Sequence, residues 1–227
     1  MSTSTASQRN WSDLRARVLS AIVMAVVGFS LIYSGFYGTA LLVLVGACAM
    51  IWEWSRMTAS ATHGEKFVGY FIVVLACLGF LWLRGDVAFG LFTVIWLILV
   101  VVAADVGAYF SGRFIGGPKL APSISPNKTI SGAVGGLLLA VIVGCFVSLV
   151  GGAGDLLIIG VLSLATAIAS QIGDLIESSA KRMYGVKDSS NILPGHGGAL
   201  DRFDGLLAAI LYVAAVSLVK GEPVFAW

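Results

Sequence analysis

The chain has 227 residues, of which 58% are hydrophobic and 11% charged, against about 25% charged in an ordinary soluble domain. Mean hydropathy is +0.96 and 28 glycines are spread through the apolar runs. A disordered chain, a disulfide-rich secreted module and a soluble globular enzyme are excluded, which leaves an all-α, polytopic integral membrane bundle.

Residues 1–12 are rich in Ser, Thr, Gln and Asn and read as a loose tail. A bilayer core of about 30 Å takes about 20 apolar residues as helix. Seven such stretches follow: 18–35, 36–52, 67–83, 87–104, 132–150, 156–173 and 203–219. No β-barrel alternation is present, and helices satisfy their own backbone in lipid. The first stretch is closed by no clear cleavage site and reads as a span, not a leader. It joins the second at Ser34-Gly35, the turn of a helical hairpin. The fourth and sixth stretches end in polar motifs that extend them as helix.

With a cytoplasmic N-terminus, 12 of the 14 basic residues fall inside. They are Arg9, Arg15 and Arg17; Arg56 and Lys66; Arg113, Lys119 and Lys128; Lys181, Arg182, Lys187 and Arg202. Only Arg84 and Lys220 fall outside. Cys48, Cys77 and Cys145 lie within apolar runs and read as packing residues, without disulfide or metal. The chain divides into 1–104, with four spans, and 105–227, with three spans and two polar cytoplasmic segments.

Those segments, 105–136 and 171–205, hold six of the twelve acidic residues and seven of the basic ones. Ionisable residues at the edge of a span are costly and point to function. In the second segment Asp174 and Glu177 share a helical face, and Asp201 and Asp204 repeat the spacing at the start of the last span. Two such pairs can converge on a hard cation, and Mg²⁺ takes a few carboxylate oxygens plus substrate phosphates. The alternatives are a Glu177–Lys181 pair at i+4 and first-turn acids facing the helix dipole for Asp201 and Asp204. Lys181, Arg182 and Lys187 suit phosphate or the anionic leaflet, and the Pro194–Gly198 turn exposes N–H groups to an anion. His196 reads equally as a phosphate donor or a packing residue.

In the first segment Asp105 ends an apolar run, with Gly107 and Gly112 allowing close approach. Arg113, Lys119 and Lys128 supply cations, and Ser123, Ser125 and Thr129 hydroxyls. Pro118, Pro122 and Pro126 make the stretch extended and stiff. No nucleophile elbow, cysteine–histidine pair outside the bilayer or Walker loop is present. The chemistry indicated is metal-assisted handling of phosphates without a covalent enzyme intermediate.

Ser179-Ala180-Lys181-Arg182, Lys187-Asp188, Leu193-Pro194-Gly195-His196-Gly197-Gly198 and Asp201-Arg202-Phe203-Asp204 form a spaced pattern of about 26 residues. It resembles the signature of the phosphatidate cytidylyltransferases (CDP-diacylglycerol synthases). The stretch from Asp105 through Arg113, Lys119, Ser125, Lys128 and Thr129 to Gly132 also resembles that family, as does Gln171-x-Gly-Asp174-x-x-Glu177-Ser178. Ser131 stands where the family commonly has an acidic residue, and Ile130 where it has an aromatic one.

The resemblance implies that CTP and phosphatidate give CDP-diacylglycerol and pyrophosphate at the cytoplasmic face of the cell inner membrane. It implies Mg²⁺, alone or with a second cation, on Asp174 and Asp201 with Asp204 and Glu177. Lys181, Arg182, Lys187 and Arg202 then neutralise phosphates, helped by His196, Gly197 and Gly198. Arg113, Lys119, Ser125, Lys128 and Thr129, with Asp105, bind one of the phosphate-bearing substrates. A homodimer is implied by the resemblance alone, and no nucleic-acid partner is expected. The rival functions are a CTP-using kinase of a polyprenol-type lipid and a small membrane transporter. The transporter would need ionisable groups near the bilayer midplane.

Overall fold

The computed structural model describes residues 21–192 and 197–227. Its elements in chain order are α1 (Ala21–Tyr33), α2 (Phe36–Met57), α3 (His63–Gly85), α4 (Gly90–Phe114), β1 (Lys119–Ala121), β2 (Ser125–Thr129), α5 (Ile130–Gly151), α6 (Leu156–Met183) and α7 (Leu200–Lys220). A 3₁₀ turn, Val224–Ala226, follows α7.

Helices α2 to α7 are six helices long and apolar enough to cross a membrane. The protein is a polytopic helical membrane protein. The first expected span, 18–35, is represented by α1, and its residues 18–20 lie outside the described residues, as do the 1–12 tail and Arg9, Arg15 and Arg17. The Ser34-Gly35 turn falls between α1 and α2, as expected, with Gly35 at φ 108°. The fourth and sixth expected spans do extend: α4 runs to Phe114 and α6 to Met183.

Among the described residues, the proline-rich stretch departs from an all-α fold. Instead of a simple extended link it folds back as an antiparallel hairpin, with Lys119 opposite Thr129 and Ala121 opposite Ser125. Its base is closed by Ile130 N–H, which donates to Pro118 O at 3.0 Å. Ser131 Oγ donates to Gly116 O. The Thr129 hydroxyl accepts from Gly132 N–H at 3.1 Å, so the end of β2 is also the N-cap of α5.

Small residues draw α4 and α5 together. A Cβ placed on Gly136 would lie 2.5 Å from Ala104 O, on Gly107 2.7 Å from Gly135 O, and on Gly132 2.8 Å from Ala108 O. Backbones that close need glycine at the crossing, as in small-xxx-small membrane interfaces. Farther along, fully buried Trp96 of α4 donates through Nε1 to Ser163 Oγ of α6 at 3.2 Å. Lipid tails offer apolar groups an environment much like the core, so close packing and such interhelical bonds carry the association.

The connections alternate between two ends of the bundle. At one end the 3₁₀ turn packs on α4 (Phe92 and Phe225 ring centroids 4.4 Å apart) and Asp155 N–H donates to Trp227 O at 2.8 Å. At the other end the hairpin, the end of α2 and the α6–α7 connection meet. Both polar segments sit there.

Gly136→Ala should lower thermal stability in detergent, by about 1–3 kcal/mol, because the methyl group must separate two backbones. Gly46→Ala on α2, whose added Cβ meets nothing within 4 Å, should leave stability unchanged or raised. Equal melting temperatures for Gly136→Ala and wild type would contradict the close approach.

Candidate active site

Beside the hairpin, α4, α5 and α6 line a cavity of about 590 Å³. Asp105, Tyr109 and Arg113 line it from α4, Lys128 and Thr129 from β2, and Gln171 and Asp174 from α6. Gln171 Nε2 donates to Ala133 O at 3.1 Å, which fixes its amide across the α5–α6 interface. Thr129 is buried and its hydroxyl is committed to the α5 cap, so it lines the wall more than it offers a free donor.

Asp105, Asp174 and Asp204 come from α4, α6 and α7 and lie within electrostatic range of one another. Lys128 forms an ion pair with Asp174, both side chains 30% exposed. Ser178 Oγ donates to Asp174 Oδ1 at 3.3 Å, and Gly205 N–H to Asp204 Oδ1 at 2.6 Å. Arg202 is in electrostatic range of Asp105. Carboxylates within range of one another repel unless cations offset them, and Lys128 and Arg202 act on Asp105 while Lys181 acts on Asp204.

A second group lies beside the first. Lys181 Nζ is 2.6 Å from Glu177 Oε2 and donates to Asp201 Oδ1 at 2.7 Å. Asp201 also accepts from Ser189 N–H at 2.9 Å, Ser189 Oγ at 3.0 Å and Gly198 N–H at 2.8 Å. Glu177 Oε1 is buried and has no hydrogen-bond partner among the described residues.

The expected metal ligands therefore divide. Asp174 lies with Asp105 beside the cavity, Glu177 and Asp201 share Lys181 and have oxygens turned to donors, and Asp204 is in electrostatic range of both groups. The i+4 alternative for Glu177 is the arrangement found. Lys181 accordingly faces carboxylates and not open cavity. Arg182 is likewise turned away, with Nη1 donating to Val186 O at 3.1 Å and Nε to Ile124 O at 3.5 Å, tying α6 to the hairpin. Lys119 and Ser125 sit on the strands outside the cavity lining, and Lys187 is exposed. His196 lies outside the described residues.

No group of three or more His, Cys, Asp or Glu among the described residues could hold a metal ion unaided. Mg²⁺ commonly takes only one or two carboxylates, with phosphate and water oxygens completing its shell. An all-oxygen donor set at the edge of a phosphate-sized cavity fits that requirement, with Asp174 at its centre.

One residue of this end has no counterpart in the motifs. Glu53, near the end of α2, has no exposure and accepts four hydrogen bonds from the α6–α7 connection and the start of α7. The sequence does carry a signal for it. An acid in the last turns of an apolar helix opposes the helix dipole and pays desolvation, so it needs donors from elsewhere.

Residues 63–219 match the family described as the Cytidylyltransferase family. A phosphatidate cytidylyltransferase of Brucella suis is 35% identical over 263 aligned positions, covering 93% of this chain and 96% of that protein. One from Haemophilus influenzae is 49% identical over 126 positions, 53% of this chain and 44% of that protein. One from Bacillus subtilis is 43% identical over 129 positions, 56% of this chain and 48% of that protein. The carboxylates and cations gathered at one end of the bundle thus lie on a chain that belongs to the cytidylyltransferase family.

Proposed function

We propose that this nucleotidyltransferase, which joins CTP to phosphatidate to give CDP-diacylglycerol and pyrophosphate, works in the cavity between the hairpin, α4, α5 and α6. The observation that carries the assignment is the cavity in which Arg113 and Lys128 face Asp105 and Asp174 at the end of an apolar bundle. A lipid phosphate resides at that depth, and its chains can remain between the helices. Positive-inside bias supports a cytoplasmic orientation of this end in the cell inner membrane, where CTP is available.

In the reaction a phosphatidate oxygen attacks the α-phosphorus of CTP in line. The bond from that phosphorus to the bridging oxygen of the β-phosphate breaks, and pyrophosphate leaves. A phosphate monoester is largely ionised near neutral pH, so no strong general base is needed. Positioning and charge neutralisation dominate. Arg113 and Lys128 hold phosphate oxygens in the cavity. Asp174 would hold Mg²⁺ together with substrate phosphate and water oxygens, with Asp105 and Asp204 in electrostatic range, and Mg²⁺ when bound would neutralise charge on the triphosphate. Arg202 stands beside that group. Lys181 acts one step back, by holding Glu177 and Asp201 and with them the first turn of α7.

Purified protein in detergent, given phosphatidate, labelled CTP and Mg²⁺, should form CDP-diacylglycerol and pyrophosphate. A phosphorylated lipid with CDP as by-product would instead identify a kinase. Asp174→Asn in folded protein should lower turnover at least ~100-fold, the scale of losing one transition-state charge contact. Wild-type turnover in that variant would reject the assignment.

Lys181→Met should lower stability by about 3 kcal/mol, because it leaves two half-buried acids without their shared cation. Adding Glu177→Gln should recover part of that loss. Additive losses in thermal unfolding of the single and double variants would show that the pair is not coupled.

A further inference from the structure

We infer that Glu53 is a positioning residue for the reaction, acting from α2 on the first turn of α7. The inference rests on the site proposed above. It concerns a residue outside the segment 63–219 that matches the family.

Glu53 has no exposure, yet among the described residues no Lys or Arg forms an ion pair with it. Among the described residues its charge is met by hydrogen bonds. Oε1 accepts from Ser190 Oγ at 2.5 Å and Ala199 N–H at 2.9 Å. Oε2 accepts from Leu200 N–H at 2.7 Å and Ser189 Oγ at 3.2 Å. Ala199 is the N-cap position of α7 and makes no side-chain cap of its own. The first N–H groups of a helix have no partner within it, and an anion is favoured there. Glu53 supplies that cap from another helix, 146 and 147 residues away in sequence.

The contact fixes more than a helix end. Asp201 and Asp204 lie in the turn that follows, and Asp201 holds the same Ser189 from the other side. The Ser189 hydroxyl carries one proton and stands 3.2 Å from Glu53 and 3.0 Å from Asp201, so it donates to one acid at a time and the two compete for it. Space around the clamp is also specified. A Cβ on Gly198 would lie 1.9 Å from Ser189 Oγ and 2.6 Å from Glu53 Oε1, so only glycine lets the chain pass between them. A shift of Glu53 is therefore passed to the carboxylates and to Arg202.

The test compares turnover per folded molecule in the full-length protein in detergent. Folding is checked by gel filtration and thermal unfolding. Glu53→Gln places an amide N–H₂ against two of the four donors. It should lower kcat at least tenfold while KM for CTP and for phosphatidate stay within about threefold, because the acids are displaced rather than removed. Glu53→Asp keeps the acceptors and should recover part of kcat. Ser190→Ala removes a single donor and serves if Glu53→Gln does not fold; it should lower kcat by a smaller factor. A lowered melting temperature with wild-type kcat, in Glu53→Gln or in a folded Ser190→Ala, would overturn the inference. Asp174→Asn in the same assay separates the two ideas. Wild-type turnover there sinks the proposed site itself, whereas an inactive Asp174→Asn beside a fully active Glu53→Gln sinks only the role of Glu53.

Discussion

A carboxylate at the end of an apolar helix is stable only where cations or N–H groups surround it, and this requirement organises the end of the bundle that carries the site. Three solutions appear side by side. Asp174 is held by Lys128 from the hairpin. Glu177 and Asp201 share Lys181. Glu53 is neutralised by backbone N–H groups and serine hydroxyls. Each solution joins segments far apart in the chain, so stabilising the acids and assembling the site are one event.

The glycine crossing of α4 and α5 serves the same end. The helices touch along Gly107, Gly112, Gly132 and Gly136 up to the hairpin, and the last of these contacts, Gly112 and Gly132, form part of the cavity wall. The hairpin then returns Lys128 over Asp174. A site of this kind needs no mobile covalent group. It needs a few cations and acids held rigidly at the depth of a lipid phosphate, which suits a reaction governed by positioning and charge.

Much of the fold was legible because its cause is local. Helix length against bilayer thickness marks α2 to α7 directly, and the polar tails of α4 and α6 continue the helical pattern past the apolar run. The two polar segments stand out because charge is scarce elsewhere. What was not legible depends on pairing across the chain. Nothing in residues 118–129 says that the prolines frame a hairpin, because its register is set by contacts at both ends. Spacing gives Asp174, Glu177, Asp201 and Asp204 equal standing, and only the fold shows that Glu177 and Asp201 pair directly with Lys181, that Asp174 pairs with Lys128 and that Asp204 lies in range of both groups. Arg182 reads as a phosphate ligand until its carbonyl partners on the hairpin and the α6–α7 connection are seen. Glu53 was hidden by the apolar run around it, although its charge in the last turns of α2 was the clue.

We propose that CTP enters the cavity between the hairpin, α4, α5 and α6 from the cytoplasmic face. This claim is tested most directly by single-cysteine labelling in sealed inside-out vesicles, after Cys48, Cys77 and Cys145 are replaced by serine. Ser123→Cys on the hairpin should react with a membrane-impermeant maleimide, and CTP should slow the reaction. Glu222→Cys at the opposite end should stay unlabelled until the vesicles are opened. Labelling of Glu222→Cys with protection of Ser123→Cys in sealed vesicles, or reactivity of Ser123→Cys that CTP does not change, would contradict the account.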